Sequence, residues 1–157
     1  FEKKYEEKWL NMMRDKLGLF GIDDKDKFLI LDLLTWMHQS KTDYTNTFCY
    51  LMNEKIKDDV SYEDEVFKNW KKRWNERLKT NNNTPEKSLK LMRSANPIVI
   101  PRNHKVEEAL EAAEKNNFKP ITRLVEILKD PYSQQKNIIN YQIPSNSEKK
   151  YQTFCGT

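Results

Sequence analysis

The chain has 157 residues, of which 37% are hydrophobic and 33% charged, and its formal net charge is +4. That length suits one domain, and 4 Trp, 7 Tyr and 7 Phe argue against intrinsic disorder. Three glycines argue against phosphate-binding glycine-rich loops, and no apolar run is long enough to cross a membrane. Two cysteines without short spacing fit a reducing compartment, so we expect a cytoplasmic protein.

The first two predicted helices are amphipathic. The first spans about Glu2 to Leu17, and Gly18 can end it in a left-handed conformation. It is expected to bury a stripe that consists of Tyr5, Trp9, Met12, Met13 and Leu17. Asp23 or Asp24 is expected to cap the second helix and to place negative charge at its N-terminus. The buried face predicted for the second helix consists of Phe28, Leu31, Leu34 and Met37.

Three further helices are predicted before residue 96. Asp43 should cap the third helix, and Ser61 with Asp64 three residues later should cap the fourth. Thr84 and Pro85 provide an N-cap and a first helical residue for the fifth. The apolar residues predicted to face inward are Tyr44, Phe48, Leu51, Met52, Val66, Phe67, Trp70, Trp74, Leu78, Leu89, Leu91 and Met92.

The stretch from Asn96 to Tyr132 predicts an extended segment followed by a pair of helices. Prolines bracket the apolar run 98–100, and because proline restricts the backbone and lacks an N–H, this run should be extended. Apolar residues at helical spacing predict helices over 102–116 and 120–130. A link as short as 117–119 requires the two helices to pack as a hairpin.

These elements predict an all-α fold of about six helices that ends in an αα-hairpin. We expect a helical domain over residues 1–132, followed by an irregular C-terminal tail over residues 133–157 that carries Cys155. The tail has isolated apolar residues without helical periodicity, so it should lie along the surface or be ordered by a partner.

The basic segment Lys68–Lys79 contains two tryptophans and could bind nucleic acid, with indoles stacking on bases. Its periodicity argues against that function. Trp70 and Trp74 share a helical face with Phe67, so both indoles should point into the core. The cations then form a solvated outer face.

No catalytic, cofactor-binding or metal-binding residue is predicted. His38, His104, Cys49 and Cys155 lack the spacing that metal sites favour. Cys49 follows the apolar face of the third helix and should be a small buried hydrophobic residue. Composition and periodicity alone therefore indicate only an all-α domain.

Five segments, taken in order, resemble the C-terminal part of the selenoprotein O (SelO) family. They are MRDKLGL at 13–19, DYTNTF at 43–48, residues 92–103, EALEAAE at 108–114 and LKDPY at 128–132. The final Cys155-Gly156-Thr157 stands where the family ends in cysteine or selenocysteine plus two small residues. Cys49 departs from the family, which usually has an arginine there.

The resemblance implies a kinase-like enzyme, or pseudokinase, that transfers AMP from ATP to protein hydroxyl groups with Mg²⁺ or Mn²⁺. The ATP- and metal-binding residues of the family belong to an upstream kinase-like core, and none of those motifs occurs in this chain. This region should therefore be inactive alone, with the core and the protein substrates as its partners. The alternative is a freestanding helical module that binds protein or nucleic acid. A start at Phe1 rather than methionine favours the first interpretation.

Arg102 opens the first helix of the hairpin, where the helix dipole disfavours a cation. One interpretation is a polar anchor with a specific carboxylate or carbonyl partner. The other is an exposed arginine without a partner.

Cys155 is predicted to be a redox-regulatory residue, because the resemblance puts a cysteine or selenocysteine here and the tail lacks the apolar periodicity needed to bury a thiol. The alternative is an incidental residue whose loss changes nothing. In the complete enzyme Cys155 should pair with a thiol of the kinase-like core. We expect oxidation to change the activity of the full-length enzyme, and Cys155→Ser to abolish that response. Activity assays in reduced and oxidised buffer test this, and an identical response of both forms would contradict it.

Overall fold

The computed structural model describes residues 2–56 and 60–145, and within these ranges the chain is helical, without a β-strand. The α-helices are α1 (Glu2–Lys16), α2 (Asp26–Ser40), α3 (Tyr44–Leu51), α4 (Glu65–Lys79), α5 (Pro85–Ala95), α6 (Asn103–Glu114), α7 (Lys119–Leu128) and α8 (Ile139–Gln142). A 3₁₀ turn over Val60–Glu63 precedes α4. The all-α prediction is confirmed, although short α8 lies where an irregular tail was expected. No described helix is long and apolar enough to span a bilayer.

Local capping signals determine where several helices begin. Asp43 caps α3 by accepting a hydrogen bond from the backbone N–H of Asn46, and Thr84 caps α5, as predicted. Asp64 rather than Ser61 caps α4. Asp23 contributes to the start of α2 as predicted, because its side chain accepts from the backbone N–H of Lys25 at 2.8 Å and its own N–H donates to Asp26 Oδ2 at 3.1 Å. Lys25, the residue directly before the helix, makes no capping hydrogen bond with its side chain.

The buried faces of α1 and α2 differ from those predicted. The buried apolar residues here are Met13 in α1 and Leu17 directly after it, whereas Tyr5 and Met12 are exposed. In α2 the buried apolar residues are Leu29, Ile30, Leu33, Trp36 and Met37, and Phe28 and Leu31 are exposed. Apolar residues occur almost all around α2, which packs against both α1 and α4, so periodicity could not select one face. Other apolar residues of the predicted faces that remain exposed are Tyr44 and Val66.

Aromatic side chains from α2, α4 and the 3₁₀ turn form the centre of the core. The ring of Phe67 lies 4.4 Å from that of Trp36, 5.2 Å from Tyr62 and 5.7 Å from Trp70. Trp70 and Trp74 are stacked 5.9 Å apart, and both are buried. The prediction that both indoles point inward is confirmed.

A buried carboxylate with two arginine partners joins α1, α2 and α4. Asp26 Oδ2 accepts from Arg14 Nε at 2.6 Å, and Asp26 Oδ1 accepts from Arg77 Nε at 2.7 Å. Arg77 also donates to the carbonyl of Phe20. The acidic cluster at the start of α2 therefore supplies tertiary ion pairs through Asp26 as well as the local hydrogen bonds of Asp23.

The last third of the described chain contains the predicted extended segment and hairpin. Ile98 and Val99 are buried, and Ile98 N–H donates to the carbonyl of Pro131 at 2.8 Å. Helices α6 and α7 pack against each other, and Asn116 follows α6 in a left-handed conformation with φ 61°. Packing continues past residue 132, because Ile138 joins the core cluster. A domain limit at residue 132 stays a prediction.

Candidate functional site

The side chain of Arg102 pairs with Asp43 at the starts of α6 and α3. Its Nη1 donates to Asp43 Oδ2 at 2.6 Å and its Nη2 to Oδ1 at 2.8 Å. The Oδ1 atom also accepts from the backbone N–H of Asn46 at 2.9 Å. The same carboxylate thus caps α3 and holds Arg102, which is mostly buried. Two charge-assisted hydrogen bonds in a fork fix the relative position of α3 and α6.

Gln142, at the end of α8, is held by the same group of residues. Its backbone carbonyl accepts from Asn46 Nδ2 at 3.1 Å and from Arg102 Nη2 at 3.0 Å. Its side-chain Nε2 donates to the carbonyl of Ile98 at 2.7 Å. We call Asp43, Asn46, Arg102 and Gln142 the Arg102 cluster. It ties the C-terminal segment to α3 and to the extended entry of the hairpin.

Two polar atoms of the Arg102 cluster have unused hydrogen-bonding capacity. Among the described residues, Asn46 Oδ1 and Arg102 Nε are buried without a hydrogen-bond partner. Asn46 Oδ1 could accept one further hydrogen bond, and Arg102 Nε could donate one. The members of the cluster are held by hydrogen bonds to one another and to the backbone, and none is a nucleophile beside a general base. A role for Arg102 as a structural polar anchor stays a proposal.

A double-mutant cycle tests the Arg102 anchor. Asp43→Asn removes the charge but leaves a good N-cap residue, and Arg102→Gln removes the cation. Each change is expected to cost about 1.5–3 kcal/mol of unfolding free energy, the range for hydrogen bonds to charged groups. The two costs should be non-additive by about 0.5 kcal/mol or more, because the residues are in contact. Urea denaturation measures both quantities.

Arg123 provides the matched control for this cycle. Its Nη2 donates to the carbonyl of Lys136, so it also contacts the C-terminal segment, but the contact is exposed. Arg123→Gln should change the unfolding free energy by less than about 0.5 kcal/mol. Strict additivity of Asp43→Asn and Arg102→Gln would show that their contact contributes nothing to stability.

Cys49 is a buried thiol with little reactivity. It is fully inaccessible, and its Sγ lies 3.9 Å from the carbonyl oxygens of Pro97 and Ile98. Burial and, to a smaller extent, the carboxylates of Glu54 and Asp43 raise the pKa of Cys49 to about 12, against the opposing effect of Arg102 and Lys16. The thiol is therefore protonated at neutral pH and, enclosed in the core, is a poor nucleophile. The predicted burial of Cys49 is confirmed.

Cys155 lies outside the described residues. Its redox role and its pairing with another thiol stay predictions.

The basic face of α4 is largely neutralised within the chain. The interactions are Lys68 with Glu63 and Glu65, Arg73 with Asp32, Arg77 with Asp26, Lys79 with Glu76, and Lys71 over the ring of Tyr50. The indoles that would stack on bases donate inward instead, Trp70 to the carbonyl of Leu29 and Trp74 to that of Leu17. This arrangement favours a structural role for α4 over nucleic-acid binding.

The described residues contain no group of three or more His, Cys, Asp or Glu side chains that could hold a metal ion. Gly18 has a left-handed φ of 68°, and a Cβ there would lie 2.9 Å from Met92 Cγ and from the carbonyl oxygen of Ser88. This glycine permits the close approach of α1 and α5 and is not part of a phosphate cradle.

Sequence reasoning identified Arg102 but missed its partners and the Asp26 ion pairs. Asp43 was recognised only as a cap, and the polar residue Gln142 was not singled out. One indication that Gln142 packs against the domain was available from the sequence. Isolated apolar residues flank it in the C-terminal segment that was expected to be irregular. Asp43 and Arg102 are 59 residues apart, and Asp26 and Arg77 are 51 apart. Neither pair therefore produces a local sequence pattern that could reveal it.

Comparison with known proteins gives a consistent family match. The family model described as protein adenylyltransferase SelO matches residues 1–129. The protein nucleotidyltransferase YdiU of Pelagibacter ubique is 52% identical over an alignment of 158 positions, which covers 100% of this chain and 33% of that relative. The proteins of the same name from Alcanivorax borkumensis and Nitrosococcus oceani are 48% and 44% identical, again over 100% of the chain and 33% and 32% of their own lengths. The chain thus spans about a third of these relatives.

Proposed function

The chain belongs to the SelO family of protein adenylyltransferases, and we propose that it is the C-terminal helical region of such an enzyme. The complete enzyme would transfer AMP from ATP to Ser, Thr or Tyr hydroxyl groups of other proteins in the cytoplasm. One observation carries this proposal: the whole chain matches about a third of the length of relatives that are named protein nucleotidyltransferases and are three times as long.

The catalytic residues would lie in a kinase-like core outside this chain. That core would bind ATP with Mg²⁺ or Mn²⁺ and would be the main partner of the helical region, besides the protein substrates. The composition of the described residues supports this division, since they offer neither a metal-binding group of side chains nor a glycine-rich cradle. The Arg102 cluster would act as a structural anchor within the helical region.

The isolated chain is expected to show no ATP binding and no AMP transfer. Isothermal titration calorimetry with ATP and Mg²⁺ or Mn²⁺ measures the first, and transfer of radiolabel from ATP to protein measures the second. The full-length Pelagibacter ubique relative serves as the positive control. Micromolar affinity of the isolated chain for ATP would contradict the proposed division.

A chimera tests the function itself. In the full-length Pelagibacter ubique protein, the matching third is replaced by this chain. If the chain is the corresponding region of a SelO enzyme, the chimera should fold cooperatively and transfer AMP, as the parent does. A chimera that folds but transfers no AMP, beside an active parent, would contradict the proposal.

A further inference from the structure

Helix α1 carries an apolar stripe that this chain leaves largely uncovered. Tyr5, Trp9 and Met12 are spaced at i, i+4 and i+7 and therefore share one helical face. Tyr5 is 68% exposed and Met12 44%, and only Trp9 packs partly against the core. The neighbouring face, with Met13 and Leu17, is the one that α1 buries.

Tyr44 of α3 lies near the C-terminal end of this face of α1. Lys16 is next on the same face of α1, and its Nζ lies 5.5 Å from the ring centroid of Tyr44. Tyr44 is itself exposed, and its hydroxyl donates to Met13 Sδ at 3.5 Å. We call Tyr5, Trp9, Met12 and Tyr44 the α1 stripe.

The charge at the end of the α1 stripe is already satisfied within the chain. Lys16 Nζ donates to the carbonyl of Ala95 at 3.1 Å and to Asn96 Oδ1 at 3.2 Å. It also lies 5.1 Å from the ring centroid of Phe48. A partner of the α1 stripe therefore needs no anion opposite Lys16, and its matching surface should be apolar.

The α1 stripe differs from the single exposed apolar residues that every protein surface has. Val66 on α4 is 62% exposed, but of the residues at i+3, i+4 and i+7 on its face, Asn69 and Arg73 are polar and Trp70 is buried. The α1 stripe instead repeats apolar residues over two helical turns, and Tyr44 of a second helix lies near its end. A group of exposed apolar residues of this kind marks an interaction site.

We infer that the α1 stripe is the surface on which the remaining two-thirds of the SelO polypeptide pack. This inference rests on the proposed function. Relatives that match the whole chain are three times its length, so in the complete enzyme a large protein surface is available to cover the stripe. The helix that carries the stripe lies inside the segment that the SelO family model matches, as expected for a feature of the complete enzyme.

Site-specific thiol labelling tests the inference. Met12→Cys and the control Val66→Cys are each made in a Cys155→Ser background, in the isolated chain and in the Pelagibacter ubique chimera. Maleimide labelling of each site is followed over time by peptide mass spectrometry. Buried Cys49 is an internal control, because it should stay unlabelled in any folded sample.

The labelling rate at Met12→Cys should fall by about tenfold or more from the isolated chain to the chimera. The rate at Val66→Cys should stay the same in both. Equal labelling of Met12→Cys in both proteins, in a chimera that transfers AMP, would overturn the docking surface and leave the proposed function intact.

Two further outcomes would also overturn the inference. If labelling of Met12→Cys in the isolated chain slows as protein concentration rises, the α1 stripe is covered by a second copy of the chain. If Cys49 stays unlabelled in the chimera, so that the chimera is folded, but no AMP is transferred, the proposed function fails and the inference fails with it.

Discussion

Replacing Asp26 with alanine should destabilise the chain by about 3–5 kcal/mol, the cost of breaking a buried ion pair by removing one partner. The Asp26 side chain is completely inaccessible, and Arg14 and Arg77 are about 90% buried. The substitution would leave two buried guanidinium groups without their carboxylate. Because the three residues join α1, α2 and α4, the loss should affect global unfolding rather than local fraying.

Asp32 provides a control in the same helix. It pairs with Arg73 at 2.8 Å, which is close to the 2.7 Å of Asp26 with Arg77, but about half of each side chain is exposed. Solvent screening limits such pairs to about 1 kcal/mol or less, so Asp32→Ala should be nearly neutral. Urea denaturation followed by circular dichroism compares the two variants. An Asp26→Ala cost no larger than that of Asp32→Ala would contradict the structural role of the pair.

The same residue should make stability depend on pH. Burial acts to raise the pKa of Asp26, but hydrogen bonds from Arg77 and Arg14 outweigh it, so the folded pKa lies below the usual value. A lowered pKa means that the folded state binds its proton less readily than the unfolded state. The contribution of Asp26 is thus present above the unfolded pKa of about 3.9 and lost as pH falls through the folded pKa. The Asp26→Asn variant should lack this part of the acid dependence.

Local features of the fold could be predicted because their determinants lie within a few residues. Thr84 accepts from the backbone N–H of Lys87, three residues on, and Asn116 adopts the left-handed conformation that its position after α6 requires. Such contacts depend only on residue types and helical geometry. The starts of α3 and α5 and the end of α6 were therefore accessible from sequence.

Tertiary contacts could not be predicted, because residues that are far apart in the chain come into contact only once the helices have packed. Asp26 could be recognised as an acid near a helix start, but the pattern does not reveal two arginines on other helices. Arg102 was left with two interpretations for the same reason, since its partner Asp43 lies 59 residues away. The exposed α1 stripe shows a related limit: periodicity identifies an apolar face, whereas burial also depends on protein outside this chain.

Replacing Trp70 with alanine should cost about 3–5 kcal/mol, as for other aromatic residues deleted from a core. Trp70 is 2% exposed, and its ring stacks between Phe67 and Trp74. Alanine would leave a cavity at the junction of α2 and α4 that stacked neighbours cannot fill without moving. It would also remove the hydrogen bond from Trp70 Nε1 to the carbonyl of Leu29 at 2.8 Å.

Two further variants separate the packing of Trp70 from its hydrogen bond. Trp70→Phe keeps an aromatic ring but loses the indole N–H. The lost hydrogen bond accounts for only about 0.5–1.5 kcal/mol of the cost of Trp70→Phe. Val66→Ala, at an exposed site on the same helix, should change stability by less than about 0.5 kcal/mol. Urea unfolding is followed by far-UV circular dichroism, because tryptophan fluorescence is itself changed in the Trp70 variants. If Trp70→Ala were as mild as Val66→Ala, the indole would not be a core residue, and nucleic-acid binding by α4 would again become a credible function.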